Sequence, residues 1–523
     1  MGLRARPARG PGRVAGGGGA SGGGCVGAAR GGGGAGPRGA GVSASPFARV
    51  PPRRHGEVAL IADGRAWTFG ELDARMGGFV AALLAAGVRR GDRVALRGSN
   101  RAETVVALLG MAIAGVTAVL VHPRLTTGEA QALIDDAEVA LSLDDAGVDA
   151  LLLDGVTRRW PATPRCALSA PLAMIYTSGT SGRPKGAVLT HGAFAASAAA
   201  SERNLGWEHP DRWVAALPIA HVGGLSVLTR CLRAGRPVVL LPRFDAGAVI
   251  DAVRSGGTLV SVVPTMLRAL LEADRDNVLA RARALLVGGA ACPPELLAES
   301  AARGVRALAT YGMTEMCSQV ATQAPTREPV AQRGVGKALP GVELRLVDDE
   351  GALVATGAVG RITVRGPMRM RGYWGHPPLA EQEWFDTGDL GALDEVGVLS
   401  IHARRTDLIV TGGENVYPVE VEQCLESHPS VAAALVFGVP DPVWGQRVAA
   451  AVVARAEVAD EAAWREALWR HVTSRLAGFK RPRLLARVDA IAALPSGKPD
   501  RAGAPARYGA SVGPWGDGVS SRA

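Results

Sequence analysis

At 523 residues the chain is too long for one compact core, and 47% hydrophobic against 20% charged residues marks a globular body of two or more domains. The formal charge of +9 invites a nucleic-acid reading, yet residues 1–56 hold nine arginines and no acid, which leaves 49 basic against 49 acidic side chains in the rest. A neutral body gives no support to a basic stripe for nucleic acid or anionic lipid outside that tail.

Residues 1–56, rich in Gly, Ala, Arg and Pro, bury too little apolar surface to fold and are expected to be a disordered extension. They resemble a transit peptide in charge but lack its Ser content and amphipathic pattern, and no apolar segment marks a secretory signal. Residues 57–404 read as one large domain. Helical stretches at 69–84 and 102–113 alternate with apolar runs at 94–96 and 118–121, and further runs follow at 238–241, 259–263 and 285–287. Strand alternating with helix predicts an α/β domain of parallel-rich sheets. The apolar run 105–121 is interrupted by Gly110, Gly115 and Thr117 and is short for a span, so a buried helix leading into a strand is expected and no stable membrane insertion.

Near residue 335 the pattern changes. Segments 341–347 and 361–364 alternate apolar and polar residues at period two, the mark of small antiparallel, barrel-like β structure. Residues 405–505 read as a small α+β domain, with helices at 418–427 and 460–476, strands at 432–437 and 448–453, and a final basic loop. Residues 506–523 are expected to be a disordered tail. Six scattered cysteines without C-x-x-C spacing fit neither a zinc site nor a disulfide framework, and point to a reducing cytoplasm. Only four lysines (185, 337, 480 and 498) stand against 54 arginines, so a surviving lysine marks a place where a compact ammonium is needed.

The densest motif is Tyr176-Thr177-Ser178-Gly179-Thr180-Ser181-Gly182-Arg183-Pro184-Lys185-Gly186. Glycines let backbone N–H groups approach an anion, hydroxyls add donors, and Lys185 brings positive charge, which together read as a phosphate cradle. It is not a Walker A loop, because Pro184 stands where that pattern needs Gly. Four more segments follow in order: Tyr311-Gly312-Met313-Thr314-Glu315, Thr387-Gly388-Asp389-Leu390, residues 404–418 including Thr411-Gly412-Gly413-Glu414-Asn415, and Pro495-Ser496-Gly497-Lys498.

Taken together, these segments resemble the adenylate-forming superfamily of acyl-CoA synthetases, luciferases and peptide-synthetase adenylation domains over residues 57–503. The resemblance implies a large domain with a small mobile C-terminal lid, ATP, Mg²⁺ and coenzyme A as reactants, and a carboxylic acid that attacks the α-phosphate before a thiol displaces AMP. Position by position, it implies that Thr177, Ser178, Gly179, Thr180, Ser181, Gly182 and Lys185 cradle the outer phosphates, Thr314 donates to the α-phosphate, and Glu315 holds the metal. Gly288, Gly289 and Ala290 with Tyr311 resemble an adenine slot, although a tight strand-to-helix turn is the competing reading. Asp389, with Arg404 beside it, would accept from the ribose. Lys498 would bridge the two anionic reactants. Thr406 would be the hinge pivot, and Gly412, Gly413 and Glu414 the loop presented to coenzyme A after rotation. Lys480 matches a common family position or serves the surface, and Lys337 belongs to a turn.

For the acid, attention falls on His221 in Pro218-Ile219-Ala220-His221-Val222-Gly223-Gly224, on Arg230 in an otherwise apolar run, and on Ser318 and Gln319. Arg230 predicts a buried anionic partner, either a second substrate carboxylate or an internal salt bridge. His221 is a pocket wall near the reacting carboxylate or a core histidine. These residues look most like the o-succinylbenzoate:CoA ligase family of menaquinone biosynthesis. Other aryl- or medium-chain acyl-CoA synthetases, carrier-protein-loading enzymes and non-catalytic adenylate-binding relatives remain the alternatives, and a homodimer is left open.

Overall fold

The computed structural model describes residues 54–158, 166–177, 184–404, 407–411, 414–442, 444–476, 478–494 and 498–515. Among them lie four sheets.

The first sheet runs Lys337–Ala338, Ser318–Thr322, Ala307–Met313, Ala284–Val287, Leu259–Val262, Trp213–Ala215, Val238–Leu240, Val58–Ala62 and Arg65–Thr68. Its middle is parallel and its two ends antiparallel. The second runs Gly372–Tyr373, Lys185–Thr190, Pro171–Thr177, Thr117–Leu120, Arg93–Arg97 and Leu141–Asp144, parallel except for its first two members.

The parallel strands are short apolar runs buried on both faces, such as Leu259–Val262 and Thr117–Leu120, as helices on either side require. Helix Ala102–Ala114 is apolar around most of its circumference and almost wholly buried, and it ends on the left-handed Gly115. Helix Phe69–Ala85 starts on a reciprocal Thr68–Glu71 capping box. Helix His191–Leu205 touches both sheets, and a single apolar core joins Leu60, Trp213 and Leu259 of the first sheet to Val94 and Leu172 of the second.

The period-two segments form a four-stranded antiparallel sheet: Glu343–Val347, Gly360–Arg365, Phe385–Leu393 and Leu399–Arg404. The last sheet pairs Val431–Asp441 with Gly445–Ala454 over its whole length and adds Leu484–Arg487 in parallel, with helices Pro418–Glu426 and Glu461–Thr473 packed on it. Its core is separate, built around Val436, Val452, Trp464 and Leu468.

Two boundaries differ from the sequence expectation. Residues 506–515 are not a disordered tail: Ala504–Tyr508 is helical, Gly513–Pro514 pairs with Leu484–Arg487, and Tyr508 and Trp515 are 7% and 3% exposed. Two aromatic anchors outweigh the Gly/Ser content around them, since each buries a large apolar area. At the other end, Arg54 and His55 are fixed to the folded body, Arg54 donating to the Gly235 carbonyl and the Gly70 N–H donating to the His55 carbonyl. Residues 1–53 lie outside the described residues.

Candidate active site

The phosphate motif sits on the hairpin of Pro171–Thr177 and Lys185–Thr190, in which Thr177 and Lys185 face each other across the strands. Ser178, Gly179, Thr180, Ser181 and Gly182 lie outside the described residues. The Thr177 hydroxyl donates to Oε1 of Glu315 at 3.4 Å, and the Tyr373 hydroxyl donates to the same oxygen at 2.7 Å. Burial, then the Glu315 charge, pushes the Tyr373 hydroxyl well above its ordinary range, so it remains a donor. The Lys185 ammonium lies 5.5 Å from the centroid of the Tyr373 ring. Glu315 therefore meets the hairpin that carries Lys185.

Glu315 belongs to a single 3-10 turn, Thr314–Met316, that follows strand Ala307–Met313. The chain leaves this turn through Cys317 and Ser318 at φ of 50° and 98°, a left-handed pair of non-glycine residues. Such backbone strain persists only where surrounding structure enforces it. A carboxylate with one oxygen engaged and the other unbonded among the described residues fits Mg²⁺, which binds through one or two carboxylates, keeps its waters and takes the remaining oxygens from phosphates.

On the nucleoside side, Gly288, Gly289 and Ala290 follow the C-terminal end of parallel strand Ala284–Val287, the edge at which open α/β sheets bind ligands. A Cβ at Gly288 would stand 2.7 Å from Cγ2 of Thr310, and Gly289 has φ of 82°, so the turn needs both glycines. The Tyr311 hydroxyl donates to Oδ2 of Asp389 at 2.6 Å, and Asp389 pairs across the strands with Arg404. The adenine-side and ribose-side candidates are thereby in contact, while of Arg404 only the backbone is described.

His221 caps helix Val222–Ala234, and its ring centroid lies 4.9 Å from that of His122, which closely follows strand Thr117–Leu120. His122 accepts the Arg124 N–H at Nδ1, which puts its own proton on Nε2. The Nε2 atoms of both rings are buried without a hydrogen-bond partner among the described residues. Burial, followed by Arg124, pulls His122 down to about 4. For His221 burial again leads, joined by the charges of His122, Lys498 and Arg124, and the result is also about 4. Both rings are neutral near pH 7.

Asn100 ties the loop before His221 to the sheet: its Oδ1 accepts the Ile219 N–H at 2.9 Å and its Nδ2 donates to the Leu217 carbonyl at 2.9 Å. Residue type and motif order pointed to His221 but not to His122, Asn100 or Tyr373. The available signal was position, since His122 and Asn100 closely follow buried parallel strands.

Arg230 is 3% exposed, and no carboxylate faces it among the described residues, so the internal salt bridge allowed by the sequence is absent there. Its Nη2 donates to the Ser318 hydroxyl at 3.3 Å, its guanidinium lies 5.3 Å from the Trp213 ring centroid, and its Nε has no hydrogen-bond partner among the described residues. Burial lowers it to about 10, which leaves it a cation at neutral pH. Gln319 commits its amide nitrogen to the Thr322 and Thr310 hydroxyls, and its buried Oε1 has no partner among the described residues.

Lys498 is exposed on a reversal in which the Leu494 N–H donates to its carbonyl and Ala493 bridges Pro499. Its positive charge is one of the causes, after burial and His122, that lower the pKa of His221. Thr406, Gly412 and Gly413 lie outside the described residues, and Glu414 is described only as backbone of strand Glu414–Val416. Lys480 is paired with Glu420 at 2.7 Å, and Lys337 begins the short strand Lys337–Ala338.

Comparison with known proteins agrees with this geometry. The model of the AMP-binding enzyme family matches residues 47–374, and that of the AMP-binding enzyme C-terminal domain matches residues 420–498. The 2-succinylbenzoate–CoA ligase of Bacillus cereus (strain AH820) is 37% identical over 409 residues, covering 75% of this chain and 85% of that protein. The Bacillus mycoides (strain KBAB4) ligase of the same name is 35% identical over 431 residues, covering 80% and 88%. Among solved structures, o-succinylbenzoate CoA synthetase from Bacillus subtilis with its acyl-adenylate intermediate has a TM-score of 0.77 at 33% identity, covering 88% of this chain and 97% of that one. ATP-bound MatB from Rhodopseudomonas palustris has a TM-score of 0.81 at 30% identity, covering 89% and 98%. The chain belongs to the AMP-binding, adenylate-forming enzyme family.

Proposed function

We propose that this protein is an ATP-dependent acid:CoA ligase that converts o-succinylbenzoate to o-succinylbenzoyl-CoA through an acyl-adenylate, a step of menaquinone biosynthesis in the cytoplasm. Overall shape does not choose the acid, because the MatB structure is matched at least as well as the o-succinylbenzoate synthetase. The observation that carries the choice is Arg230, a buried guanidinium whose Nε has no partner and which faces no carboxylate among the described residues. A dicarboxylic acid supplies that anion with the carboxylate that does not react. The names of the curated relatives and the B. subtilis complex support the same acid.

In the first half-reaction two anions must meet, so positive charge and fixed donors are needed where charge builds. Lys185 and the hairpin hold the outer phosphates, Thr314 donates to the α-phosphate, and Tyr311 and Asp389 grip the nucleoside. Glu315 would hold Mg²⁺, which supplies charge neutralisation along the triphosphate. Lys498 steadies the incoming carboxylate against the α-phosphate as pyrophosphate leaves, and neutral His221 walls the acid without adding a competing charge. For the second half-reaction the small domain turns about Thr406, withdrawing Lys498 and presenting Gly412, Gly413 and Glu414 beside the thiol's path.

Pyrophosphate exchange across a panel of carboxylic acids tests the reading. Exchange is expected with o-succinylbenzoate and to fall with an analogue lacking the second carboxylate. Exchange with benzoate or fatty acids but not o-succinylbenzoate overturns the choice of acid, and exchange with no acid overturns the enzymatic reading altogether.

A further inference from the structure

Lys185 and Glu315 carry opposite charges on either side of Tyr373, and among the described residues no ion pair joins them. If they met, each would neutralise the other, and neither would be available to a phosphate or a cation. Tyr373 engages both. Its hydroxyl donates to Oε1 of Glu315 at 2.7 Å, and its ring takes the Lys185 ammonium at 5.5 Å from the centroid.

The backbone fixes that position from two sides. Tyr373 pairs with Ala187 and its neighbour Gly372 with Val188, while the Trp374 N–H donates to the Gly186 carbonyl at 2.7 Å. Three residues earlier in the chain, the Met370 N–H donates to the Glu315 carbonyl at 2.7 Å. Residues 370–374 thus link the phosphate hairpin to the turn that carries the acid.

We propose that Tyr373 is a positioning residue for adenylation: it occupies Oε1 of Glu315, leaves Oε2 as the single oxygen offered to a divalent cation, and keeps Lys185 on its ring face, available to phosphate. This inference rests on the reading of the site as one for ATP and Mg²⁺. It predicts separable losses, because the hydroxyl serves the acid and the ring serves the lysine.

The test is calorimetric titration of ATP into the full chain, without acid, in EDTA and in Mg²⁺. Wild type is expected to bind ATP more tightly in Mg²⁺. Tyr373→Phe should lose about tenfold of that Mg²⁺-dependent gain, the scale of one hydrogen bond to a charged group, and keep its affinity in EDTA. Tyr373→Leu, which also removes the aromatic face, should in addition bind ATP several-fold more weakly in EDTA. A Phe variant that keeps the full gain overturns the proposal while leaving the ATP-and-metal reading intact. A Phe variant weakened equally in both media overturns it in favour of general packing. A wild type with no Mg²⁺-dependent gain overturns the site reading and this inference with it.

Discussion

The phosphate side and the acid side of the crevice are built on opposite principles. On the phosphate side Thr177, Tyr373 and Glu315 satisfy one another, and Lys185 rests on an aromatic ring. On the proposed acid side Nε2 of His122, Nε2 of His221, Nε of Arg230 and Oε1 of Gln319 are buried without hydrogen-bond partners among the described residues. An orphaned buried polar atom costs on the order of 1–3 kcal/mol, so each of these four would gain from a polar partner. Among the described residues the proposed phosphate-side candidates hold one another in place, with Oε2 of Glu315 left over, whereas the proposed acid-side candidates leave polar atoms unsatisfied.

Removing the charge proposed to join the two sides gives the largest expected effect. Lys498→Ala should lower acid-dependent pyrophosphate exchange by roughly 10²–10³-fold, as loss of a group that acts on developing charge does, and change thioester formation from supplied acyl-adenylate only a few-fold. Equal losses in both half-reactions would erase the assigned role.

Arg230→Met tests the acid side alone. The KM for o-succinylbenzoate should rise about 30-fold or more, consistent with a desolvated charge pair, while the KM for ATP stays put. A monocarboxylic analogue should notice the change far less. If both acids suffer alike, the arginine supports the core and does not read the substrate.

Asp389→Asn tests the nucleotide side. It should weaken ATP about tenfold by depriving the Tyr311 hydroxyl and the ribose of a charged acceptor, with the acid's KM unchanged.

The imidazole pair predicts a pH dependence of stability. His122 and His221 have folded pKa values near 4, below the ordinary 6.5, so between those values the unfolded chain binds more protons than the folded one. Their contribution is fully present above pH 6.5 and is lost as pH falls toward 4. The melting temperature of His122→Asn should therefore fall less steeply between pH 6.5 and 4.5 than that of wild type. An identical slope would mean that the rings are not held neutral. The smallest effect is reserved for Lys480→Met: its half-exposed pair with Glu420 should be worth no more than about 1 kcal/mol.

Much of this comparison was legible in the residues, for uneven reasons. Strand-and-helix alternation located the two large sheets because buried parallel strands are short apolar runs, and the period-two segments located the antiparallel sheet because one face of each is wet. The phosphate hairpin, Glu315, Asp389 and Lys498 stood out because each lies in a compact run of unusual residue types. His122, Asn100 and Tyr373 did not. Each matters through a partner distant in the chain, Tyr373 through Glu315 58 positions earlier, and tertiary pairing leaves no local period. The C-terminal expectation failed for a related reason: counting Gly and Ser measures chain freedom, but Tyr508 and Trp515 supply the anchorage.

One ion cluster in the small sheet bears on how the molecule changes state. Arg501, three residues after Lys498, meets Glu422 and the Val436 carbonyl, and its Nε lies 3.2 Å from Oδ2 of Asp407, beside the proposed pivot. The contact ties the segment that follows Lys498 to Asp407, so the rotation proposed about Thr406 would have to carry this ion cluster with it or break it.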